Sequence, residues 1–379
     1  MRILVAPNAF KNSLPATEAA AAIIGGLKAS RLSCDCLAFP VGDGGDGTAT
    51  LIVEKCGGRW IQETVTGPLG REVLSRYALI DAGKTAVIEM ADASGLRLLD
   101  ASTLDPLRAS SVGMGQLIRK ALDHGVSTII IGLGGSATVD GAAGALSALG
   151  VRFLDQNGQA LPPTPAGLSS LHSIDTSALD SRVAATGFVV LSDVQNPLLG
   201  PEGAAAIFGP QKGADPEQVE ILESMLSLLS RKARTATGRD MAAVPSGGAA
   251  GGAAAGLAVF LGATLVNGID YFFELTGFDR ALNGCDLVIT GEGSIDEQTL
   301  NGKGPFGVAE RARRLGIPVV ALAGKVPLTE NPALRAYFDV LLPIGHQASG
   351  LAEAMLATGQ NLARTAHELG NLLALHRPR

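Results

Sequence analysis

Glu292, Asp296, Glu297 and Lys303 stand on one glycine-punctuated stretch, DLVITGEGSIDEQTLNGKGP, at residues 286–305. Carboxylates bind Mg2+ as hard oxygen ligands and an ammonium group meets phosphate oxygens, so this set suits a polyphosphate carried with its metal. Leu287, Val288 and Ile289 just before it make the short apolar run of a buried strand. Gly291 and Gly293 let backbone approach a ligand where a side chain would collide. In open α/β sheets ligands bind at the carboxyl ends of strands, which is where this stretch would lie. The competing reading is a solvated surface loop.

Other stretches carry the same chemistry. Lys11 follows an apolar run at residues 2–7 and precedes an alanine-rich helix at 17–28, which is expected to end near Gly25 and Gly26. FPVGDGGDGT, residues 39–48, sets Asp43 and Asp46 among Gly44, Gly45 and Gly47, more acid than a plain turn requires. VSTIIIGLGGSATVDG runs from a buried strand at 128–131 into Gly132, Gly134 and Ala137, which match a dinucleotide fingerprint. Asp140 stands where that helix would receive a pyrophosphate, and an unpaired carboxylate there repels it; with Mg2+ bound the same carboxylate would help. Asp193 follows the apolar strand at 188–191, with Asn196, Gln211 and Lys212 on the proline-broken loop beyond it. His346 follows a further strand end, without a second histidine nearby.

These groups need a scaffold, and the composition describes one. The chain has 379 residues, 46% of them hydrophobic and 17% charged, with 49 glycines, which suits a heavily buried α/β protein of about two domains. A net charge of −6 and no Lys/Arg run leave nucleic acid nothing to bind. Cys34, Cys36, Cys56 and Cys285 have neither zinc-ligand nor dithiol spacing and read as reduced thiols of a cytoplasmic protein. The first residues show no export signal. Residues 241–269 lack charged side chains, but the glycines, Pro245 and Asn267 there favour a packed helix over a membrane span.

Residues 60–91 shift to short alternating segments, expected as strands and hairpins. Ser111 is placed to cap an amphipathic helix over 111–124. The apolar runs at 317–323 and 340–344 read as parallel strands, and 351–375 as a closing helix. The two chain ends match each other better than either matches the middle. The expected architecture is a Rossmann/flavodoxin-like parallel-sheet domain from residues 1–65 and 284–379, with residues 66–283 as an inserted α+β domain and a ligand site between them. Residues 2–7, 287–290 and 319–323 should share one mostly parallel sheet.

Taken together, APNAFKNSL, PVGDGGDGT, IEMADASGLRLL, GLGGSATVDG, DVQNPLLG with IFGPQKGA, GGAAGGAAAGL and LVITGEGSIDEQTLNGKGP resemble the glycerate kinase type 2 family over nearly the whole chain. The resemblance implies ATP- and Mg2+-dependent phosphorylation of D-glycerate, usually to 2-phosphoglycerate, by a cytoplasmic protein that is a monomer or homodimer. The family usually reads Asp-Ser where this chain has Asn8 and Ala9, and Gly where it has Asn12. It has Glu at Asp46, Gly at Ala142 and commonly Cys at Ser192. The first two changes remove a carboxylate and a hydroxyl beside the expected site and leave room for a related hydroxy acid.

Phosphoryl transfer needs positioning and neutralisation of phosphate charge more than covalent chemistry. On that logic Lys11, Lys303, Asp193 and Asp296 are the candidate catalytic residues, one carboxylate orienting or deprotonating the hydroxyl. Asp43, Asp140 and Glu292 are the candidate Mg2+ ligands. Gly44, Gly45, Gly134, Gly135, Ser136, Gly291 and Gly293 would meet phosphate, with Asn196, Lys212 and Arg71 as further substrate or phosphate contacts. Two rival classes stay open: an NAD-dependent hydroxy-acid dehydrogenase acting through GLGGSA, and a non-catalytic small-molecule binder on the same fold.

Overall fold

A computed structural model describes residues 1–375, the side chains of Gln298 and Asn301 excepted. In chain order the strands are β1 (Arg2–Val5), β2 (Asp35–Ala38), β3 (Arg59–Thr66), β4 (Glu72–Ile80), β5 (Thr85–Glu89), β6 (Thr128–Gly132), β7 (Arg152–Leu154), β8 (Ser173–Asp175), β9 (Gly187–Ser192), β10 (Thr264–Asn267), β11 (Leu287–Ser294), β12 (Val319–Lys325) and β13 (Val340–Pro343). By residue contacts the chain forms two compact units, one of residues 1–43, 50–52 and 269–379, the other of 44–49 and 53–268. The sequence pattern predicts boundaries at 65/66 and 283/284.

The first unit holds a five-stranded sheet in the order β13-β12-β11-β1-β2, every pairing parallel. The expected sharing of one sheet by β1, β11 and β12 is found, Ile3 lying opposite Leu287 and Ile289 opposite Val320. Their unalternating apolar runs suit strands covered on both faces. Taken in chain order the strands lie 2-1-3-4-5, the flavodoxin-like order, whose switch point falls between β1 and β11. Helix Ala16–Ala29 does not stop at its glycines. A Cβ on Gly26 would come within 2.1 Å of Ala363 O, so this glycine lets helix Thr358–Leu375 pack against it. The core here gathers Ile3, Val5, Ile23, Leu27, Ile289, Leu322 and Leu362.

The second unit holds a six-stranded mixed sheet, β10-β9-β6-β5-β4-β3. β3, β4 and β5 pair antiparallel, as the alternation of 60–91 requires, while β5, β6, β9 and β10 run parallel. The chain after β6 passes through the short helix Ala143–Ala148 into β7, which pairs only with β8 in a separate ribbon. The parallel β-α-β unit that a dinucleotide fingerprint needs is therefore not formed by this segment, which removes the structural basis of the dehydrogenase reading. Residues 249–261 form a buried helix whose Ala250, Gly251 and Gly252 have positive φ. Among the described residues no helix is long and apolar enough to cross a membrane.

Candidate active site

A pocket of about 370 Å³ opens at the switch point of the first sheet. Lys11 reaches it from the loop after β1, Glu292 and Gly293 from the end of β11, Lys325 from the end of β12, and Lys303 from the turn beyond β11. Lys11 sits at the tip of a tight turn closed by reciprocal backbone hydrogen bonds between Phe10 and Leu14, both 2.9 Å. Phe10 is buried and anchors the turn while Lys11 stays exposed. Lys303 occupies the N-cap position of helix Gly304–Arg314, with Pro305 in its first turn.

The strand expected to end at Thr290 continues to Ser294, so Glu292 is held by the sheet, opposite Ala323. It is buried, and Thr299 Oγ1 donates a 3.0 Å hydrogen bond to its Oε1. Burial pushes its carboxyl up to about 7, with Lys303 pulling down, Asp43 pushing up and Lys11 pulling down. Asp43 is buried too, and its Oδ2 accepts hydrogen bonds from Asn8 Nδ2 at 2.7 Å and from the Gly304 N–H at 3.4 Å. Asn8 Oδ1 accepts from the Ala9 N–H at 2.8 Å, which fixes the amide. A Cβ on Gly304 would lie 2.8 Å from Asn8 Nδ2, so the glycine makes room for this arrangement.

The glycines divide into two kinds. Gly291 is buried in β11, where a Cβ would come within 2.0 Å of Leu322 O, and its carbonyl accepts the Asn8 N–H. The strand packing by itself requires glycine here. Gly293 is exposed and lines the pocket. In the second unit, the Gly134 N–H donates to Gly44 O at 3.1 Å, and a Cβ on Gly134 would meet Gly45 Cα at 2.5 Å. Gly135 O accepts the Leu96 N–H, and a Cβ on Gly135 would lie 2.5 Å from Asp46 Oδ1. Here glycine lets two loops dock backbone to backbone, and the Gly134 N–H is already used.

Asp140 is fully buried and accepts four hydrogen bonds: from the Ser111 N–H at 2.8 Å, Ser111 Oγ at 2.7 Å, the Ala142 N–H at 3.2 Å and the Gly144 N–H at 3.1 Å. Burial raises its pKa against these donors. Ser111 occupies the expected N-cap position, yet its hydroxyl serves Asp140 and accepts the Ala145 N–H rather than capping its own helix. Lys212 is likewise buried, donating to Ser136 Oγ at 2.9 Å and Thr138 O at 2.7 Å, and burial lowers its pKa to about 7. Lys212 thus holds the GLGGSA loop at Ser136, while Asp140 ties Ser111 to the start of helix Ala143–Ala148. Glu89, not among the candidate site residues, is buried at the end of β5 and accepts the Gly47 and Ala49 N–H groups. Its signals in the sequence are a carboxylate closing an apolar strand and its place in IEMADASGLRLL.

The remaining candidates are more open. Asp193 follows β9 and Asn196 Nδ2 donates to Glu202 O at 2.8 Å. Arg71 is exposed on the β3–β4 turn, at the sheet edge where β5 ends. Ser294 Oγ donates to Asp296 Oδ2 at 3.4 Å. His346 Nε2 lies 3.3 Å from Asn361 O and 3.2 Å from Thr365 Oγ1. Lys325, also unforeseen, was signalled only by AGK closing an apolar run.

Among the described residues no three His, Cys, Asp or Glu side chains gather as a metal cage. A buried pair, Asp43 and Glu292, beside lysines fits a different demand. Mg2+ is commonly held by one or two carboxylates, with phosphate and water oxygens completing its shell.

A sequence model described as the glycerate kinase family matches residues 3–374. The chain belongs to the glycerate kinase family. It is 43% identical to a glycerate kinase of Bacillus subtilis (strain 168), covering 99% of this chain and 98% of that one. It is 41% identical to a glycerate 2-kinase of Escherichia coli (strain K12), with coverage of 99% and 98%. A crystal structure from Salmonella typhimurium LT2, of a protein provisionally named glycerate kinase 2, superposes with a TM-score of 0.83 at 42% identity, covering 99% of this chain and 98% of the other. Membership of this kinase family covers both units, so the second unit's loops are as much part of the family's architecture as the pocket of the first.

Proposed function

We propose that this chain transfers the γ-phosphoryl group of ATP, taken as its Mg2+ complex, to D-glycerate, giving 2-phosphoglycerate and ADP. The observation that carries this reading is the convergence of Lys11, Lys303 and a Glu292 poised near neutrality on one pocket, with Asp43 acting on that carboxyl. In the step, a glycerate hydroxyl oxygen bonds to the γ-phosphorus, the bond from that phosphorus to the β–γ bridging oxygen breaks, and the hydroxyl proton passes to a carboxylate. Glu292 is the proposed acceptor, since a base with a pKa near the working pH serves best. Lys303 and Lys11 offset the phosphate charge. Asp43 is the proposed Mg2+ ligand; the ion, when bound, neutralises phosphate oxygens. Asp193 and Asp296 complete the proposed carboxylate set, and the cytoplasm, which supplies ATP, is the proposed setting.

A related small hydroxy acid is the second acceptor reading, favoured by one observation: Asn8, where the family has aspartate, is held by Asp43 and Ala9. A coupled ADP-release assay with D-glycerate, L-glycerate, tartronate and glycolate decides between them. D-glycerate is expected to give the highest kcat/KM, and phosphorus NMR of the product should show the phosphate on C2. ADP release with another acid but none with glycerate would overturn the acceptor and keep the kinase.

A further inference from the structure

The pocket of the first unit has a second character beside its lysines. Phe10, Ile344, Leu351, Ala354 and Met355 give it an apolar wall, and Asn361 adds one carboxamide. Leu351, in the short helix Leu351–Leu356, is 77% exposed at this wall, a large apolar side chain left open by the described residues. The helix is tied back to the loop after β1: Ser13 Oγ donates to Met355 O at 2.6 Å and lies 2.6 Å from Thr358 Oγ1. The wall therefore stands over the strand ends that carry Lys11 and Lys325.

A ligand for this pocket needs a flat apolar body with a polar edge, and several negative charges. Small hydroxy acids have no such body. A purine nucleoside triphosphate has both parts, and 370 Å³ falls within the usual range for such ligands. The Asn361 side chain forms no hydrogen bond among the described residues. Its carboxamide offers a donor and an acceptor side by side, the pattern that pairs with the N6 and N7 edge of adenine.

Resting on the kinase reading above, we propose that this pocket is the nucleotide site. The adenine lies against Phe10, Ile344, Leu351 and Met355 with Asn361 reading its edge, and Lys325 joins Lys11 and Lys303 on the triphosphate. Lys325 is thereby a phosphate-binding residue, and the acceptor acid binds outside the apolar wall.

The test is calorimetric titration of the full chain with Mg2+ and a non-hydrolysable ATP analogue, and with adenosine, alongside steady-state kinetics. Met355→Trp, which fills the apolar space, and Asn361→Ala are each expected to weaken binding of both the analogue and adenosine about tenfold or more. Lys325→Ala is expected to weaken the triphosphate by a similar factor and to bind adenosine as the unaltered chain does. The KM for D-glycerate should change less than about twofold in all three. The proposal is overturned if Met355→Trp and Asn361→Ala bind the analogue as tightly as the unaltered chain, or if they raise the acceptor KM instead. That outcome leaves the kinase reading standing. Tight analogue binding lost in these variants, in a chain that releases no ADP with any acid, would keep the pocket and overturn the kinase reading.

Discussion

Asn8 donates its Nδ2 hydrogen to Asp43 Oδ2 across 2.7 Å, with both side chains buried behind the pocket. An aspartate at position 8 would set two carboxylates at that spacing, and such a pair must share a proton. Asn8→Asp is therefore expected to raise the pair's proton affinity in the folded state. Stability is then lost as pH rises through the raised folded pKa. Urea melts should find the variant near the unaltered chain at pH 5 and about 1–3 kcal/mol less stable at pH 8. Equal losses at both pH values would show that the geometry, not the charge, was disturbed.

Lys303 pulls the Glu292 pKa down and lines the pocket from the N-cap of its helix. As a partly exposed partner of carboxylates it contributes only about 0–1 kcal/mol to stability. A preorganised cation facing charge that grows during transfer is worth about 3 kcal/mol, on the order of a hundredfold in rate. Lys303→Ala should lower kcat/KM by roughly that factor with little change in Tm. A large fall in Tm with unaltered kinetics in the folded fraction would assign the lysine to structure.

Glu292 titrates at about 7 in the fold, against 4.5 for an ordinary glutamate, chiefly because burial disfavours its charge. Between those values the folded chain binds more protons than the unfolded one, so this group makes stability fall as pH rises. The loss begins above the unfolded value and is complete above the folded one. Glu292→Gln removes it. The variant should match the unaltered chain below pH 5 and exceed it by on the order of 3 kcal/mol above pH 8. Parallel stability–pH curves for the two chains would contradict this account.

Asp140 holds four donors around the Ser111 and Gly144 backbones. Removing the carboxylate orphans them. Asp140→Ala should cost about 3 kcal/mol, whether Mg2+ is present or chelated. A loss seen only with Mg2+ would restore the metal-ligand role first expected of this residue.

Ala142 has φ of +66°, in the left-handed region that favours glycine. The sequence resemblance marks this position as one where relatives carry glycine. Ala142→Gly should therefore stabilise the chain by about 0.5–1 kcal/mol, the relief of strain outweighing the added freedom of the unfolded chain. A lower melting temperature would show that the Ala142 methyl packs for more than its strain costs.

What the sequence determined alone was the kind of sheet and the kind of chemistry. Runs such as Ile3–Leu4–Val5 and Leu287–Val288–Ile289 have no polar alternation, and only a parallel sheet covered on both faces accepts that. Lys11, Glu292 and Lys303 were legible as neighbours of strand ends, Glu292 and Lys303 among glycines and Lys11 just after the first apolar run, and the fold brings all three to one pocket. The division of labour among like residues was decided only by the fold. Gly291 and Gly293 are two apart in one strand, yet one faces Leu322 O at a distance that excludes a methyl group and the other faces the pocket. Asp140 and Asp43 read alike as loop acids, but one has its oxygens filled from its own unit's backbone and the other lies beside Glu292. Lys325 and Asn361 join the pocket from β12 and from the C-terminal helix, segments that only the parallel sheet order brings beside β11. A chain's local pattern reports which face is buried, whereas hydrogen-bond partners and close approaches depend on residues hundreds of positions away.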